Sequence, residues 1–425
     1  MHLSNDSRVV IIGGGPAGCF TALHLLRFAA EAGLKLNILI LEPRDFNRPG
    51  PGGCNKCAGI LSSRLGSSLE MLDLHLPPEV IQAALDSYVL HLGSEALNLN
   101  RPDARRRIIS VYRGGGPRLG DAPYPHSFDA WLLEQAQRRG AEVQRTRARF
   151  VRRGKKPLVV TAYDSVEADL VVVASGVNSR APLDADCGYH PPQTAIMAQD
   201  EVSFSGSLLG DGIHIFFDHQ PGLVFGGIVP KGRYVNISLL GKGLSPDAVA
   251  DFLEGQGLAS LFPEGAAMLC GCTPRVAISP ARGVSADRLV VVGDAAVTRL
   301  YKDCIGAAFI TAEAAARTAI QRGVSHRDFL VGYHPICRRI MADNRYGRLL
   351  FRLWAFTRRS PWLLAIWRHA LLAEVDLPSE ERVYARMLWG MFTGDESYRQ
   401  IFWLSMSRPA LHSLWQGALT KWRER

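Results

Sequence analysis

The chain has 425 residues, 47% hydrophobic and 21% charged, with a formal net charge of +9. At roughly 150 residues per domain this globular composition predicts two or three domains. The longest apolar runs fall short of the about 18 residues that a bilayer span needs, so no transmembrane helix is expected. The first apolar stretch, residues 9–18, is interrupted by glycines and a proline, which reads as a buried strand and tight turn and not as a secretory core. A reducing cytoplasm is the expected compartment, so the eight cysteines need not form a disulfide framework.

In chain order, residues 9–12 read as a strand, 17–32 as a helix that Gly33 can stop, and 36–41 as a second strand ending at Glu42. Together they form a βαβ unit. A Gly/Pro-rich loop covers 43–65. Residues 77–100 are mixed and can begin a second layer. Residues 108–112 are a short β run, 127–139 a helix stopped by Gly140, and 141–174 alternate like strands of a small sheet. Residues 190–245 look like consecutive antiparallel strands with Gly/Pro turns. Residues 289–292 form a buried strand and 306–322 an alanine-rich helix. Beyond about 331 the pattern is helical, with Pro335, Pro361, Pro378 and Pro409 expected as breaks.

The turn of the first unit is Gly13-Gly14-Gly15-Pro16-Ala17-Gly18. It fits the dinucleotide fingerprint: Gly13 permits the tight turn, Gly15 lets the backbone approach a pyrophosphate, and Gly18 lets helix and strand pack closely. The helix that opens at Pro16 and Ala17 offers unpaired N–H groups and a partial positive charge to phosphate. Glu42, 24 residues beyond Gly18, can accept both ribose hydroxyls of an adenosine. Pro43 and Arg44, directly after it, complete this candidate set.

A second buried strand ends in Gly293-Asp294-Ala295-Ala296. This segment resembles the flavoproteins that include aromatic hydroxylases, flavin-dependent halogenases and geranylgeranyl reductases. The resemblance implies that Asp294 binds the ribityl chain of FAD and that a following turn opens a helix beneath the flavin. Here the turn is residues 301–306, and Gly306 and Ala307 start the helix. A helix N-terminus favours the anionic reduced flavin by roughly 0.3–2 kcal/mol. The turn departs from the family pattern, with Tyr301 for the usual proline and Cys304 for a usual glycine. Further matches are Arg113 after the 108–112 run, Phe128-Asp129, and Ala174-Ser175-Gly176, where Ser175 replaces an Asp.

Within that superfamily the reductase-like branch fits best. Cys57-Ala58-Gly59 resembles its Cys-Gly-Gly segment near the flavin, and Val229-Pro230-Lys231-Gly232 with Val235-Asn236-Ile237 resembles its Pro-Lys-Gly turn and following strand. The Trp motif of halogenases is missing, although Gly227 falls where both branches have a tryptophan. The resemblance therefore implies an α/β fold: a Rossmann-type, parallel-sheet FAD domain from residues 1–75, 105–185 and 275–330, a mixed β-sheet substrate domain from 76–104 and 186–274, and a helical region from 331 to 425. It implies flavin hydride transfer to or from C–C bonds of a lipophilic, isoprenoid-like substrate. Cys57, Tyr301 and Lys302 are the candidate catalytic residues. Without a second dinucleotide fingerprint, the electrons are expected from transiently bound NAD(P)H or from an electron-transfer protein such as reduced ferredoxin. A monooxygenase or halogenase, in which Lys302 carries the halogen, is one alternative. A non-catalytic flavin-containing binding protein is another.

Two features stand outside these motifs. Cys54-Asn55-Lys56-Cys57 could be a redox pair, or half of a four-thiolate zinc or iron–sulfur site whose other half is Cys270-Gly271-Cys272; no metal is the favoured expectation. Residues 338–425 hold fourteen arginines and one lysine against eight acidic residues, a net +7, and seven of the eight tryptophans. Interleaved Arg and Trp suit a peripheral membrane contact, because both have an apolar body and a polar tip. A helical cap with solvated arginines explains them equally. No nucleic-acid-binding motif accompanies them, and no nucleic-acid partner is expected.

Overall fold

The computed structural model describes all residues except 93–94, 184–186, 204–209, 211, 218–222, 242, 246, 257, 259–267, 379–380 and 424–425. Parts of the expected 190–245 strand region thus lie outside the described residues.

The N-terminal β-branched run forms the strand Arg8–Ile12, central in a six-stranded sheet. It pairs in parallel with Asn37–Leu41 on one side and Leu170–Val173 on the other, with Val10 opposite both Leu39 and Val171. Leu289–Val291 extends the sheet in parallel beyond Leu170–Val173, and Glu142–Gln144 does so beyond Asn37–Leu41. The inner strands are almost continuously apolar, as strands covered on both faces must be, whereas the edge strand Glu142–Gln144 is polar and exposed at both ends. The helices Pro16–Glu31 and Cys304–Gln321 pack against each other, and the Phe20 and Phe309 rings meet edge to face at 5.1 Å. His24 lies between Phe28 and Phe309, and burial lowers its pKa to about 3, so it packs as a neutral ring.

A seven-stranded mixed sheet runs in the order Arg275–Ala277, Thr194–Ser203, Tyr234–Gly241, Leu223–Lys231, Gly212–Phe216, Ser87–Leu92, Glu95–Asn100. The described strands within 190–245 pair antiparallel, as expected, and the parallel pairing of Gly212–Phe216 with Ser87–Leu92 makes this the expected mixed sheet. One finding differs from the sequence reading: the edge strand Arg275–Ala277 comes from the stretch expected in the cofactor domain. Side chains alternate between the two faces. Ile213, Ile215 and Val229 join the core beneath the C-terminal helices, whereas Phe216, Ile228 and Ile237 pack with the helix Ala248–Gly255 on the other face.

The C-terminal region is helical: His334–Thr357, Pro361–Leu372, Val383–Thr393, Tyr398–Ser405 and Arg408–Arg423. The expected breaks fall at Pro335, Pro361 and Pro409, each of which stands in the first turn of a new helix, where its missing N–H is not needed. Of the seven tryptophans here, Trp389 is fully buried and Trp354 packs on Trp367 at 4.9 Å, while Trp362, Trp403, Trp415 and Trp422 are exposed.

Candidate functional site

The glycine loop and the Gly293 turn meet at the C-terminal ends of the parallel strands. A Cβ on Gly18 would run into the Gly13 carbonyl, and one on Gly293, whose φ is +64°, would lie 2.6 Å from the Ala17 methyl. These two glycines therefore let helix, strand and second motif approach one another. The Pro16–Glu31 helix starts at Gly15 with no side-chain cap, so its first N–H groups face the space in front of the loop.

That space is one continuous cleft containing about 1980 Å³ of atom-free volume, part of it open to solvent. Gly15, Pro16, Ala17, Arg44, Arg113, Gly176 and Asp294 line it, as do Cys57, Tyr301 and Lys302. Gly13, Gly18, Gly293, Gly306 and Ala307 shape the backbone behind the wall. Glu42 is buried, and its carboxylate accepts the Gly14 N–H at 2.8 Å and the Arg44 backbone N–H at 2.9 Å. Pro43 holds the chain between these two partners.

A buried polar chain continues from there. Arg44 donates to the Glu42 carboxylate at 3.0 Å through Nε and to the Asn55 carbonyl through Nη1. The Asn55 amide donates to Asp129, and Arg113 holds the same carboxylate with both Nε and Nη2. The Asp129 carboxylate keeps the Arg113 guanidinium charged despite full burial. Arg113 was expected at the cofactor; its direct partner is Asp129. Asn55 is the member that the sequence reading missed, since it stood there only as a spacer between two cysteines.

Asp294 has an Oδ1 with no protein partner, and burial raises its pKa to about 6. Ser175 Oγ beside the cleft is likewise buried and unpartnered. Unsatisfied buried polar atoms are costly in a folded protein unless a ligand completes them. Asp303, which caps the Cys304–Gln321 helix through the Gly306 N–H at 3.1 Å, sits at φ +45°, and Tyr301 at +61°. Strained backbone at non-glycine positions of this kind clusters at functional sites.

Lys302 departs from its expected catalytic role. Its ammonium donates to the Gly390 carbonyl at 2.7 Å and the Glu396 carbonyl at 3.0 Å, and lies 3.8 Å from the Tyr398 ring centre. Burial lowers its pKa to about 7. The amine thus ties the turn to the C-terminal helices. Tyr301 stacks edge to face on Phe351 at 5.2 Å. Lys231 and Asn236, which carried part of the resemblance, are buried structural residues: Lys231 pairs with Glu201 at 3.5 Å and lies over Tyr112.

The far end of the cleft is apolar. Ile213, Phe217, Phe225 and Leu240 come from the mixed sheet, and Phe351, Met391 and Phe392 from the C-terminal helices. The helical tail therefore forms part of the site, which its composition did not reveal. Gly227 lines the cleft, and a Cβ there would make ordinary contact with Ile215 Cδ1 at 3.6 Å, so a side chain at this position is not blocked by its nearest neighbours. Among the described residues no cluster of three or more Cys, His, Asp or Glu side chains is placed to hold a metal ion, so the four-thiolate alternative has no site there.

No protein-family profile matches the chain. It is 24% identical over 324 residues to Protein FixC of Escherichia coli K12, covering 68% of this chain and 69% of that protein. Three solved structures share the architecture. A geranylgeranyl bacteriochlorophyll reductase-like protein of Thermoplasma acidophilum superposes with a TM-score of 0.66 at 16% identity, over 96% of this chain and 97% of that one. A flavoprotein/dehydrogenase of Cytophaga hutchinsonii gives 0.62 at 16%, over 91% and 92%. The halogenase PltM in complex with FAD gives 0.63 at 14%, over 99% and 92%. The chain thus has the α/β fold of the flavoproteins that include reductase-like and halogenase members.

Proposed function

We propose that the chain is an FAD-dependent oxidoreductase acting on a lipophilic substrate. One observation carries this reading: a single cleft joins an uncapped helix N-terminus and a buried carboxylate with one unpartnered oxygen, Asp294 Oδ1, at one end to an apolar chamber at the other. The residues fit FAD. The loop N–H groups at Gly15 would hold the pyrophosphate and Asp294 the ribityl hydroxyls; Glu42, buried and off the cleft wall, would take the adenosine ribose only in exchange for its Arg44 partners. FAD when bound supplies hydride transfer. The chain's own part is to orient the cofactor, to keep water from the apolar end, and to hold charge near the Cys304–Gln321 helix N-terminus.

The chamber favours reduction or dehydrogenation of C–C bonds in an isoprenoid-like chain, because its lining offers dispersion contacts and few hydrogen bonds. The oxygenase or halogenase alternative is weakened at one point: the Lys302 amine is occupied by two carbonyls. Anaerobic mixing of the photoreduced protein with geranylgeraniol tests the reading. Flavin reoxidation with loss of the alkene supports it. Indifference to the lipid, with reoxidation by oxygen coupled to substrate hydroxylation or halogenation, would replace it. A flavin that resists reduction altogether points to a binding protein. Reduction by NADPH or by reduced ferredoxin separates the two electron sources.

A second reading concerns the surface. On Arg408–Arg423 the side chains of Leu411, Trp415, Leu419 and Trp422 share one face and are all exposed, Trp415 by 64% and Trp422 by 73%. No described helix is long and apolar enough to cross a membrane. An exposed Trp/Leu stripe in a basic region fits peripheral contact with an anionic bilayer. Binding of the intact protein to phosphatidylserine vesicles at low salt, reversed in part at high salt, supports this contact. No binding at low salt removes it.

A further inference from the structure

Asn55 is held from several sides and keeps one donor unused. It lies in the loop between the Asn37–Leu41 and Ile60–Leu61 strands, and its backbone N–H donates to the Arg113 carbonyl at 3.4 Å. Its side-chain amide stands between Arg44 and Asp129. A guanidinium only donates and a carboxylate only accepts, so the amide can face one way: oxygen toward Arg44, nitrogen toward Asp129. One N–H of that nitrogen goes to Asp129, and the other has no acceptor among the described residues. The nitrogen lies beside the start of the Pro16–Glu31 helix, 3.2 Å from where a Cβ on Gly15 would stand, and Asn55 and Gly15 line the same cleft.

The charges around the amide cancel. Arg44 pairs with Glu42 at 3.0 Å, and Arg113 pairs with the buried Asp129 carboxylate. These four side chains therefore offer an anion at this wall little net charge. Directed N–H groups remain: those of the uncapped helix start and the second N–H of Asn55.

We propose that Asn55 is a dinucleotide-binding residue whose free amide N–H donates to a pyrophosphate oxygen, with Arg44 and Asp129 fixing its direction. This inference rests on the FAD reading above. The helix N–H groups at Gly15 and the Asn55 amide then converge on one anion from two separate segments of the chain. Arg44 and Asp129 act as positioning residues, because each fixes one end of the amide.

The test compares full-length wild type, Asn55→Ala and Asn55→Asp, each freed of flavin and checked for folding by circular dichroism. Titration with FAD should give a dissociation constant roughly ten- to hundredfold higher for Asn55→Ala, as loss of a hydrogen bond to a charged group implies. Asn55→Asp should lose more, since its carboxylate would face both Asp129 and the phosphates. The second readout is the phosphorus NMR spectrum of bound FAD. Removing a donor from the pyrophosphate should move a phosphorus resonance between wild type and variant, whereas a residue that only braces the loop would lower affinity and leave the spectrum in place. Either variant decides alone should the other fold poorly. Unchanged FAD affinity in a folded variant, or lowered affinity with an unchanged phosphorus spectrum, overturns the proposal while the cofactor reading stands. A wild type that binds no FAD overturns both.

Discussion

The two ends of the cleft are built differently. At the polar end the backbone behind the wall is fixed by close approach, Gly18 against Gly13 and Gly293 against Ala17, and the charged side chains by partners, Glu42 on the Gly14 N–H and Arg113 on Asp129. At the apolar end the wall is Ile213, Phe217, Phe225, Phe351 and Phe392, drawn from a mixed sheet and from helices far along the chain. The first end demands particular residue types, and the second demands only apolar volume. Substitutions should therefore act sharply at one end and gradually at the other.

The largest effect is expected at Gly15. A Cβ there meets only the Asn55 amide at 3.2 Å, but a longer side chain would enter the space claimed for the pyrophosphate. Gly15→Leu should purify folded and colourless, judged by circular dichroism and by absorbance near 450 nm. Full flavin occupancy in this variant would show that the loop holds no phosphate. Asp294→Ala comes next. Losing a hydrogen bond to a charged group costs about 1.5–3 kcal/mol, roughly ten- to hundredfold in affinity. Titration of the apoprotein with FAD measures it, and unchanged affinity would reduce Asp294 to a strand-end residue.

The same contrast explains what was legible in the sequence. Gly13, Gly15, Gly18 and Asp294 could be placed at the polar end of the cleft from sequence because each stands in a recognisable turn at the end of a buried strand. Asn55 could not, because nothing local marks a loop amide as the bridge between Arg44 and Asp129. Lys302 shows the complementary limit: its place in the turn suggested chemistry, and nothing local shows that its amine donates to Gly390 and Glu396, 88 and 94 positions away. Phe351, Met391 and Phe392 lie in a region whose sequence shows only a helical pattern, and the tertiary fold turns them toward the cleft. The parallel pairing of Gly212–Phe216 with Ser87–Leu92 was hidden likewise, since a strand's partner is not written in its own alternation.

At the apolar end a milder response is expected. Gly227→Trp would place a side chain in the cleft beside Ile215 without touching the phosphate loop. FAD content should stay at the wild-type level while KM for geranylgeraniol rises about tenfold, or ~1.4 kcal/mol. Unchanged steady-state kinetics would place the substrate elsewhere.

The smallest effect is one of pH on the flavin-free protein. Burial raises Asp294 to about 6 from its ordinary 3.8. The neutral acid therefore favours the folded state, with a contribution complete below about pH 4 and lost as pH rises through about 6. Burial raises Asp303 to about 6 as well, and it contributes with the same sign. Asp294→Asn should accordingly gain melting temperature relative to wild type at pH 7.5 more than at pH 4.5. An equal offset at both pH values would mean that Asp294 is not desolvated in the apoprotein.

The central claim is that the polar end of the cleft recognises both halves of a flavin dinucleotide. The most direct measurement is to denature the purified protein and identify the released cofactor by chromatography. The account predicts FAD, close to one per chain, with no FMN. FMN in its place, or no flavin even after incubation of the apoprotein with excess FAD, would contradict it.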